Sequence, residues 1–492
     1  MNFAVTLPFL SCLVTAFLAL LLSRYNSLQK TVHVLGSLSY LLFVVNLYWD
    51  AHQCGTLIFN FGGYPTGIAT SFRVDYFSAL MLLVSSLIVF AVSIYSLIDS
   101  TIKNHSSFFP AFWFLICGVT GVFSTGDIFN LYIWFELMVI ASFVMMTHAS
   151  GKYLLRGSLY YIAINLLATL ILLLAISFLY GFSGTLDMEK MATWAELKMH
   201  LLSVQVCFML LMVAFAIKSA LFPYYFWLPD SYPLTSVSSS GLFAGLLTKV
   251  GVYALIRAGT LFLLHDVQFM QILLFVSCLT MLGGVFGAMG DFHIRRILSF
   301  HIISQVGYMT LGLAMRSTLA ITAALFYIVH HILVKTNLFL ISGLMTRYSG
   351  QVDLRQMGGF FRLKPALVVL FFITAFSLAG LPPLSGFWAK YLMIRSAFAS
   401  SFWIPGAIAL VVGFFTLFSM IKIWQYAFLQ APNHNFQTVK GVERTLLYIP
   451  IVFLALLTLF IGLYPELLYQ SAERAAQSLL KPNEISADYK ER

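Results

Sequence analysis

One carboxylate and four lysines lie inside long apolar stretches of this chain, where a charge is costly. They are Glu136, Lys218, Lys249, Lys335 and Lys390. A charged side chain at the centre of a bilayer costs about 2.5–3.5 kcal/mol on insertion scales, so five such groups need either partners or a function. Burial and a nearby carboxylate act in opposite directions on the proton affinity of a lysine, so a buried lysine can bind or release a proton when hydration changes. These residues therefore predict proton transfer; the structural alternative is that each charge pairs with a partner and only orients helices.

Two adjacent histidines come shortly before Lys335, in the stretch LFYIVHHILVKTNLFL. Histidine changes its charge close to neutral pH, which suits a proton relay. His331 and Lys335 are four residues apart and share one face of a helix, so we include His331 in the candidate path. His330 points about 100° away from that face, and for this residue packing is favoured over a relay role.

Prolines stand next to two of the lysines. Lys218 is followed by Pro223 in IKSALFPYYFWLPD, and Lys390 is preceded by Pro382 and Pro383 in SLAGLPPLSGFWAKYLMI. A proline removes a backbone donor and frees a carbonyl, and inside a membrane these groups are tolerated only where protein or water satisfies them. Broken helices at matching places in two halves are typical of transporters. We therefore predict helix breaks at these prolines, beside a hydrated interior.

The composition is that of a polytopic all-α membrane protein. The chain has 492 residues, of which 60% are hydrophobic and 9% charged, and its mean hydropathy is +0.90. A soluble protein would carry about 25% charged residues. The formal net charge of +10 could suggest nucleic acid, but basic residues in short loops that set membrane topology explain it better. We expect membrane lipid, and no nucleic acid, as a partner.

A helix that crosses a membrane needs about 20 mainly apolar residues, and the chain contains about fourteen such stretches. They lie at about 4–23, 32–50, 76–98, 108–125, 128–148, 158–180, 203–222, 236–259, 268–288, 298–315, 318–343, 365–398, 404–430 and 445–465. The twelfth is too long for one straight helix and the seventh ends among prolines. These two spans are therefore the ones predicted to be broken.

The distribution of cations predicts the orientation. The loops after odd-numbered spans hold more lysines and arginines than the loops after even-numbered spans, which places the odd loops in the cytoplasm and both termini outside. The segment that begins the sequence has no cation before its apolar run, and Arg24 is the first. That pattern is typical of an uncleaved first helix.

Lys218 and Lys390 lie five spans apart, which predicts two repeats of five helices, spans 4–8 and 9–13. An odd number of helices in each repeat makes the two repeats inverted in the membrane. The predicted units are residues 1–107 with helices 1–3, 108–260 with the first repeat, 261–430 with the second repeat, and 431–492 with helix 14 and the C-terminal tail.

Other motifs favour structural roles. The five cysteines are scattered without a CxxC pair, so neither a metal cluster nor a disulfide framework is expected. GGVFGAMG at 283–290 follows no strand, and close helix packing is a better interpretation than a dinucleotide site. TSVSSSG at 235–241 is expected to line the opening of span 8. No phosphate loop or catalytic triad is present, and we expect no cofactor and no metal.

Several stretches together resemble a known family. They are GDIFNLYIWFELMVIAS, FPYYFWLPDSY, GLLTKVGVYALIR, DFHIRRILSFHIISQVGYMTLGL, YIVHHILVK and SLAGLPPLSGFWAKYLMI. The chain is similar to the antiporter-like membrane subunits of respiratory complex I and of Mrp-type cation/proton antiporters, over nearly its whole length. Tyr225 stands where the family commonly has the histidine of His-x-Trp-Leu-Pro, and Lys390 stands where one complex I homologue has glutamate. Tyr225, the stretch RRILSFHIISQVGYM and the absence of a long C-terminal extension together resemble the pattern of the Mrp-type D subunits.

The resemblance implies a path for protons. Glu136 would pair with Lys218 in a first half-channel, and Lys249 would be the central relay. His331 and Lys335 would lead on to Lys390 in a second half-channel. The resemblance also implies a bacterial inner-membrane protein that works only with the other subunits of a hetero-oligomeric complex. Residues 230–240 depart from the family's Pro- and Ala-rich pattern. This departure bears on how the path is gated locally and not on the path itself.

Three functions remain open at this point. Two of them move protons, and the third is a scaffold whose buried ion pairs are inert. The first is a proton-translocating subunit of a monovalent cation/proton antiporter and not an enzyme, with Na⁺ as the expected cation and K⁺ as the alternative. The second is a proton-pumping subunit of a complex I-like NADH:quinone oxidoreductase or a membrane-bound hydrogenase. The membrane residues are nearly the same in both, so the attached subunits would distinguish them.

Overall fold

The computed structural model describes residues 3–63, 70–102, 105–148, 154–432, 436–439 and 441–480. Within them the chain is almost entirely helical, which confirms the predicted all-α membrane fold. Some of the cations that predict the orientation lie outside the described residues, namely Lys103, Lys152, Lys440 and those of 481–492.

Twenty α-helices and one two-stranded hairpin make up the described chain. The helices are α1 (Leu7–Leu21), α2 (Asn26–Cys54), α3 (Tyr76–Ser96), α4 (His105–Ser124), α5 (Ile128–Thr147), α6 (Leu154–Ser183), α7 (Met188–Lys198), α8 (Leu202–Lys218), α9 (Trp227–Ser231), α10 (Val237–Leu242), α11 (Thr248–Phe262), α12 (Val267–Gly290), α13 (Ile294–Ala314), α14 (Thr318–Ser349), α15 (Phe360–Leu363), α16 (Pro365–Ala379), α17 (Ser385–Ala399), α18 (Trp403–Ile423), α19 (Gly441–Leu463) and α20 (Pro465–Leu480). One π-helical turn, Phe243–Leu247, joins α10 to α11, and a second, Trp424–Leu429, extends α18.

The number of spans agrees with the sequence. Among the described residues, eleven helices are long and apolar enough to cross a membrane, counting α10 and α11 as one. Three shorter apolar helices, α1, α8 and α16, have 15, 17 and 15 residues. They begin the predicted spans 1, 7 and 12, so the eleven long and three short helices account for all fourteen.

Both predicted helix breaks are present. α8 ends at Lys218, and a 3₁₀ turn that begins after Pro223 leads into the short α9. α16 ends at Ala379 and α17 begins at Ser385, so the pair Pro382–Pro383 lies between the two halves of span 12. The assignment of residues to two repeats, and their inversion, stay predictions.

The centre of the molecule is a layer of helices that is shielded on all sides. In the most apolar window of α14 and of the α10–α11 segment 100% of the residues are buried, and in α13 the value is 94%. The corresponding values for α2 and α6 are only 33% and 39%. The outer helices therefore present apolar side chains to lipid and isolate the helices that carry Lys249, His331 and Lys335.

Besides the short helix α15, three elements were not predicted. Strands β1 (Leu57–Asn60) and β2 (Ser71–Val74) form an antiparallel hairpin, and α7 occupies a segment between two predicted spans. The third is α20, which lies in the predicted C-terminal tail. Its buried residues follow a helical period that the sequence does contain: Leu468, Ala472, Ala475, Ala476 and Leu479.

Charged side chains near helix ends form contacts that join neighbouring spans. Arg257, near the end of α11, forms a bidentate pair with Asp75, the N-cap of α3, at 2.5 and 2.8 Å. Lys422, near the end of α18, donates to three carbonyl groups at the C-terminal end of α12, at 3.1, 2.8 and 2.6 Å. A cation satisfies the last carbonyls of a helix and complements its dipole. Both are therefore structural contacts.

The hydroxyl-rich stretch 235–241 begins α10, as its predicted place at the opening of span 8 requires. Ser238 donates to Asp99 from its amide and its hydroxyl, at 2.8 and 2.7 Å. Ser236 caps the helix by accepting from the amide of Ser239, and Ser240 donates to the carbonyl of Tyr232. These hydroxyls therefore form hydrogen bonds within the protein, and that of Ser236 has the capping role common for serine at a helix start.

Glycines allow α12 and α13 to pack with their backbones in contact. A Cβ added at Gly284 would overlap the amide nitrogen of Ser304, and one added at Gly287 would overlap the ring of Phe300. On α13, a Cβ at Gly307 would lie 2.7 Å from the carbonyl oxygen of Ser277. The close helix packing predicted for GGVFGAMG is therefore confirmed.

We predict that Gly284→Ala destabilises the protein while Gly290→Ala does not. The new methyl group at 284 meets backbone, which cannot move aside, and overpacking of this kind costs about 1–3 kcal/mol. A Cβ at Gly290, in the same motif, has no atom within 4 Å. The measurement is the thermal unfolding midpoint of the purified complex. Equal midpoints for the two variants would contradict this description of the α12–α13 contact.

Candidate functional site

Lys218 is the last residue of α8 and is 3% exposed. Its Nζ has no hydrogen-bond partner in the described chain and lies 4.7 Å from the centre of the Phe135 ring on α5. Phe135 also packs against Phe215, one turn earlier on α8, with ring centres 6.0 Å apart. A cation on an aromatic face is attracted by the ring quadrupole, so Phe135 provides the nearest stabilising contact.

Glu136 follows Phe135 on α5 and is only partly buried. The described chain has no ion pair within 4.0 Å between Glu136 and Lys218. The two residues therefore lie on neighbouring helices that Phe135 connects, without direct contact between their charged groups. Their pairing, which the family resemblance implies, stays a prediction.

Lys249 lies one residue into α11, directly after the π-helical turn, and its side chain is fully buried. Its Nζ donates to the carbonyl oxygen of Ala244, inside that turn, at 2.5 Å. π-Helical turns in α-helices are frequent at functional sites. Here the turn provides a carbonyl acceptor for an ammonium group that has no carboxylate partner in the described chain.

His331 and Lys335 are both buried on α14, on the shared face that their spacing predicts. Lys335 Nζ donates to the carbonyl oxygen of Leu298 on α13 at 3.1 Å. Neither ring nitrogen of His331 has a hydrogen-bond partner among the described residues. An unsatisfied buried polar group costs about 1–3 kcal/mol, so the position of His331 requires an explanation, and a role in proton transfer is one.

Lys390 reaches across the break in span 12. It lies on α17, and its Nζ donates to the carbonyl oxygen of Ala379, the last residue of α16, at 2.8 Å. His330 Nδ1 lies 2.8 Å from the hydroxyl of Ser385, the first residue of α17. The structure thus brings His330 to the same helix break, although the sequence favoured a packing role for it.

Two tyrosines and a glutamine beside Lys390 were not predicted from the sequence. Lys390 Nζ lies 5.9 Å from the ring centre of Tyr308 on α13. That ring stacks on Tyr327 of α14 with centres 5.1 Å apart, and the Tyr327 hydroxyl donates to Gln305. The stack therefore places the hydroxyl groups of Tyr308 and Tyr327 and the amide of Gln305 near the helices of the path.

His301, also on α13, was not predicted either. Its Nε2 lies 2.9 Å from the hydroxyl of Ser419 on α18, and its Nδ1 has no partner in the described chain. The signal was present in HIISQVGYM, where His301, Gln305 and Tyr308 follow the i, i+4, i+7 spacing of one helical face. A polar stripe in an otherwise apolar span predicts a hydrated face.

Close approaches at glycines show that consecutive helices of the path are in contact with one another. A Cβ added at Gly251 on α11 would lie 2.7 Å from the hydroxyl of Ser219 and 3.0 Å from the carbonyl carbon of Lys218. A Cβ added at Gly245 would overlap the hydroxyl of Thr336 on α14. With the contact between His330 and Ser385, these approaches connect α8, α11, α14 and α17 in one series. Every predicted residue of the proton path except Glu136 is buried on that series. The prolines at the predicted helix breaks, Pro223, Pro382 and Pro383, are exposed.

Comparison with known proteins gives consistent results. A family model described as "NADH:quinone oxidoreductase/Mrp antiporter, TM" matches residues 124–419. The chain is 39% identical over 484 residues to the D subunit of the Na⁺/H⁺ antiporter of Alkalihalophilus pseudofirmus, covering 98% of each chain. It is 34% identical over 498 residues to the D subunit of the Na⁺/H⁺ antiporter of Bacillus subtilis, covering 100% of each.

A solved structure has the same fold. The match is to a chain in the structure of the Mrp complex from Dietzia sp. DQ12-45-1b, with a TM-score of 0.90 and 30% identity over 99% of this chain and 100% of that chain. The segment matched by the family model contains every residue of the candidate path, from Glu136 to Lys390. These findings confirm the resemblance predicted from the sequence. The chain belongs to the family of membrane subunits shared by NADH:quinone oxidoreductases and Mrp antiporters.

Proposed function

We propose that this chain is the proton-translocating subunit of a multi-subunit antiporter that exchanges a monovalent cation, expected to be Na⁺, for protons. The observation that carries the proposal is the continuous series of helices with buried titratable groups, from Lys218 on α8 to Lys390 on α17. Relatives of the same length are named as D subunits of Na⁺/H⁺ antiporters, which supports the choice of ions. On this proposal the chain is part of a secondary transporter and carries out no chemical conversion.

Protons move along the series by changes in lysine charge. Lys249, Lys335 and Lys390 each donate to one backbone carbonyl, and a neutral amine can keep that bond after a proton leaves. The charge of one lysine alters the proton affinity of the next, by about 1–2 kcal/mol for charges about 10 Å apart at an effective dielectric constant of about 20. His331, whose ring nitrogens have no hydrogen-bond partner among the described residues, would pass protons between Lys249 on α11 and Lys335 on α14.

A redox-driven complex is the second candidate, because the matching family also contains subunits of NADH:quinone oxidoreductase. A membrane-bound hydrogenase belongs to the same alternative. In either case this chain would move protons through the same residues, and the energy source would lie in other subunits. The response to added cations distinguishes the two functions.

The first test is cation-dependent proton movement in everted vesicles of an antiporter-deficient bacterium that expresses the whole complex. We expect Na⁺ or K⁺ to change the pH gradient with wild type. Glu136→Ala, Lys218→Ala and Lys390→Ala should each lower the response by about 100-fold or more, to background, because a positioned proton-transfer group contributes about 10²–10⁴-fold.

The control for this test is Lys198→Ala, a change of an exposed lysine at the end of α7. It should leave the response at the wild-type level, and all variants are compared at equal amounts of assembled complex. A wild type without a cation response would favour the redox-driven alternative. Normal responses in all three path variants would show that the buried charges are only structural.

The second test asks whether Lys390 must gain and lose its proton or need only carry a positive charge. Lys390→Arg keeps the positive charge and a donor for the carbonyl oxygen of Ala379, but arginine stays protonated at all accessible pH values. We therefore expect an assembled complex whose exchange falls to background. The measurement is the same vesicle assay, with complex assembly followed by native gel electrophoresis. Normal exchange in Lys390→Arg would mean that only the charge at this position is required.

We also propose that the protein lies in the bacterial inner membrane with its odd-numbered loops in the cytoplasm and both termini outside. Cys54 tests this orientation, because it is the exposed cysteine at the end of α2, and the other four are buried. A membrane-impermeant maleimide should label Cys54 in intact cells, and Cys54→Ser should abolish the labelling.

The matched control for this orientation test is Tyr25→Cys in the Cys54→Ser background. Tyr25 is 63% exposed and lies between α1 and α2, at the opposite end of the same helix. The new cysteine should react only in everted vesicles. Labelling of position 25, and not 54, in intact cells would reverse the proposed orientation.

A further inference from the structure

A groove runs along the outer surface of the molecule between α2, α3, α14, α19 and α20, and we call it the α20 groove. Its volume is about 360 Å³. It is lined by Tyr48, Trp49, His52, Leu80, Leu83, Val84, Leu87, Val329, Leu333, Leu457, Phe460, Ile461, Tyr464, Leu467, Leu468, Gln470, Ser471 and Arg474. Several of these side chains are highly exposed, so the groove is open to the surroundings of the protein.

The inner part of the groove is apolar and lies within the membrane-spanning helices. Leu83 and Leu87 of α3 form one wall, and Val329 and Leu333 of α14 form the floor. These last two residues are 4% and 1% exposed, and they flank His330 and His331 in sequence. An apolar cleft at this depth faces lipid hydrocarbon and not water.

The rim of the groove is polar and carries the features of a membrane interface. Trp49 and Tyr464 are 62% and 65% exposed, and such aromatic residues are enriched at the level of lipid headgroups. The Tyr48 hydroxyl lies 3.0 Å from that of Ser471, which fastens α20 to the end of α2. One end of the groove therefore lies at headgroup level and the other reaches the hydrocarbon.

Arg474 gives this rim its charge. Its guanidinium is exposed and contacts the His52 ring, and no carboxylate of the described chain lies within 4.0 Å of it. The two carboxylates of α20, Glu466 and Glu473, accept hydrogen bonds from Gln470 and Tyr469 instead. Arginine has five N–H donors in a fork that fits a phosphate bidentately, so most of its donors remain free for an anion.

We propose that the α20 groove binds one anionic phospholipid, with its phosphate on Arg474 and an acyl chain along Leu83, Leu87, Val329 and Leu333. Charge complementarity at the rim selects this occupant over a lipid without net charge, because the Arg474 guanidinium adds an attraction for the net negative charge to its fit to a phosphate. The acyl chain would keep water away from the back of α14, opposite the face that carries Lys335. This inference does not depend on the proposed ion exchange.

The test is photo-crosslinking from inside the groove. A benzoylphenylalanine replaces Leu467, which is 64% exposed and lines the groove, in the assembled complex reconstituted with phosphatidylglycerol and phosphatidylethanolamine. Mass spectrometry of the irradiated peptide gives the attached molecule. We expect a phosphatidylglycerol adduct enriched about fivefold over its share of the membrane, the effect of one arginine near the surface.

Three comparisons decide the outcome. Arg474→Ala should remove the enrichment, Lys198→Ala should keep it, and benzoylphenylalanine at Phe414, which is 68% exposed and lies outside the groove, should report the bulk lipid ratio. An adduct with a neighbouring polypeptide would overturn the proposal. A lipid adduct at 467 with the bulk ratio, or an enrichment that survives Arg474→Ala, would overturn it as well.

Discussion

The buried lysines on α11, α14 and α17 donate to neutral backbone carbonyls and not to carboxylates. Lys249, Lys335 and Lys390 donate to carbonyl oxygens at 2.5, 3.1 and 2.8 Å. A carboxylate partner would favour the charged form of a lysine strongly. A carbonyl carries only a dipole and stabilises the ammonium less, so the charge of these lysines can change at a smaller cost. On the proposed function, proton transfer along these lysines depends on this choice of partner.

Two of these carbonyls lie where a helix is irregular or broken, and the surrounding helices shield them from lipid. Ala244 lies in the π-helical turn before α11, and Ala379 ends α16 at the break in span 12. Backbone groups released in this way cannot face lipid. This requirement explains why the most apolar windows of α14 and of the α10–α11 segment are 100% buried, while only 33% and 39% of the corresponding windows of α2 and α6 are buried. The outer helices therefore complete the site without contributing a titratable group to it.

The sequence predicted those features that depend on local chemistry and on the thickness of a membrane. Apolar length located the spans, prolines located the breaks, and the spacing of His331 and Lys335 placed them on one face. It did not predict the π-helical turn or the contact of His330 with Ser385, because both depend on how α14 packs against its neighbours. The stripe of His301, Gln305 and Tyr308 and the amphipathic period of α20 were present in the sequence but carry weaker signals than a buried lysine.

The number of acceptors separates two kinds of buried lysine in this chain. Lys422 donates to three carbonyls at the end of α12, at 3.1, 2.8 and 2.6 Å, and an ammonium has three N–H donors. Loss of its proton would remove one of these bonds and a favourable interaction with the helix dipole, so these contacts favour its charged form. Lys390 has one such acceptor and the ring of Tyr308 nearby, and its amine form could keep the single bond. The same residue type thus fastens a helix end at one position and can carry a proton at the other, and the difference is set by the backbone around it.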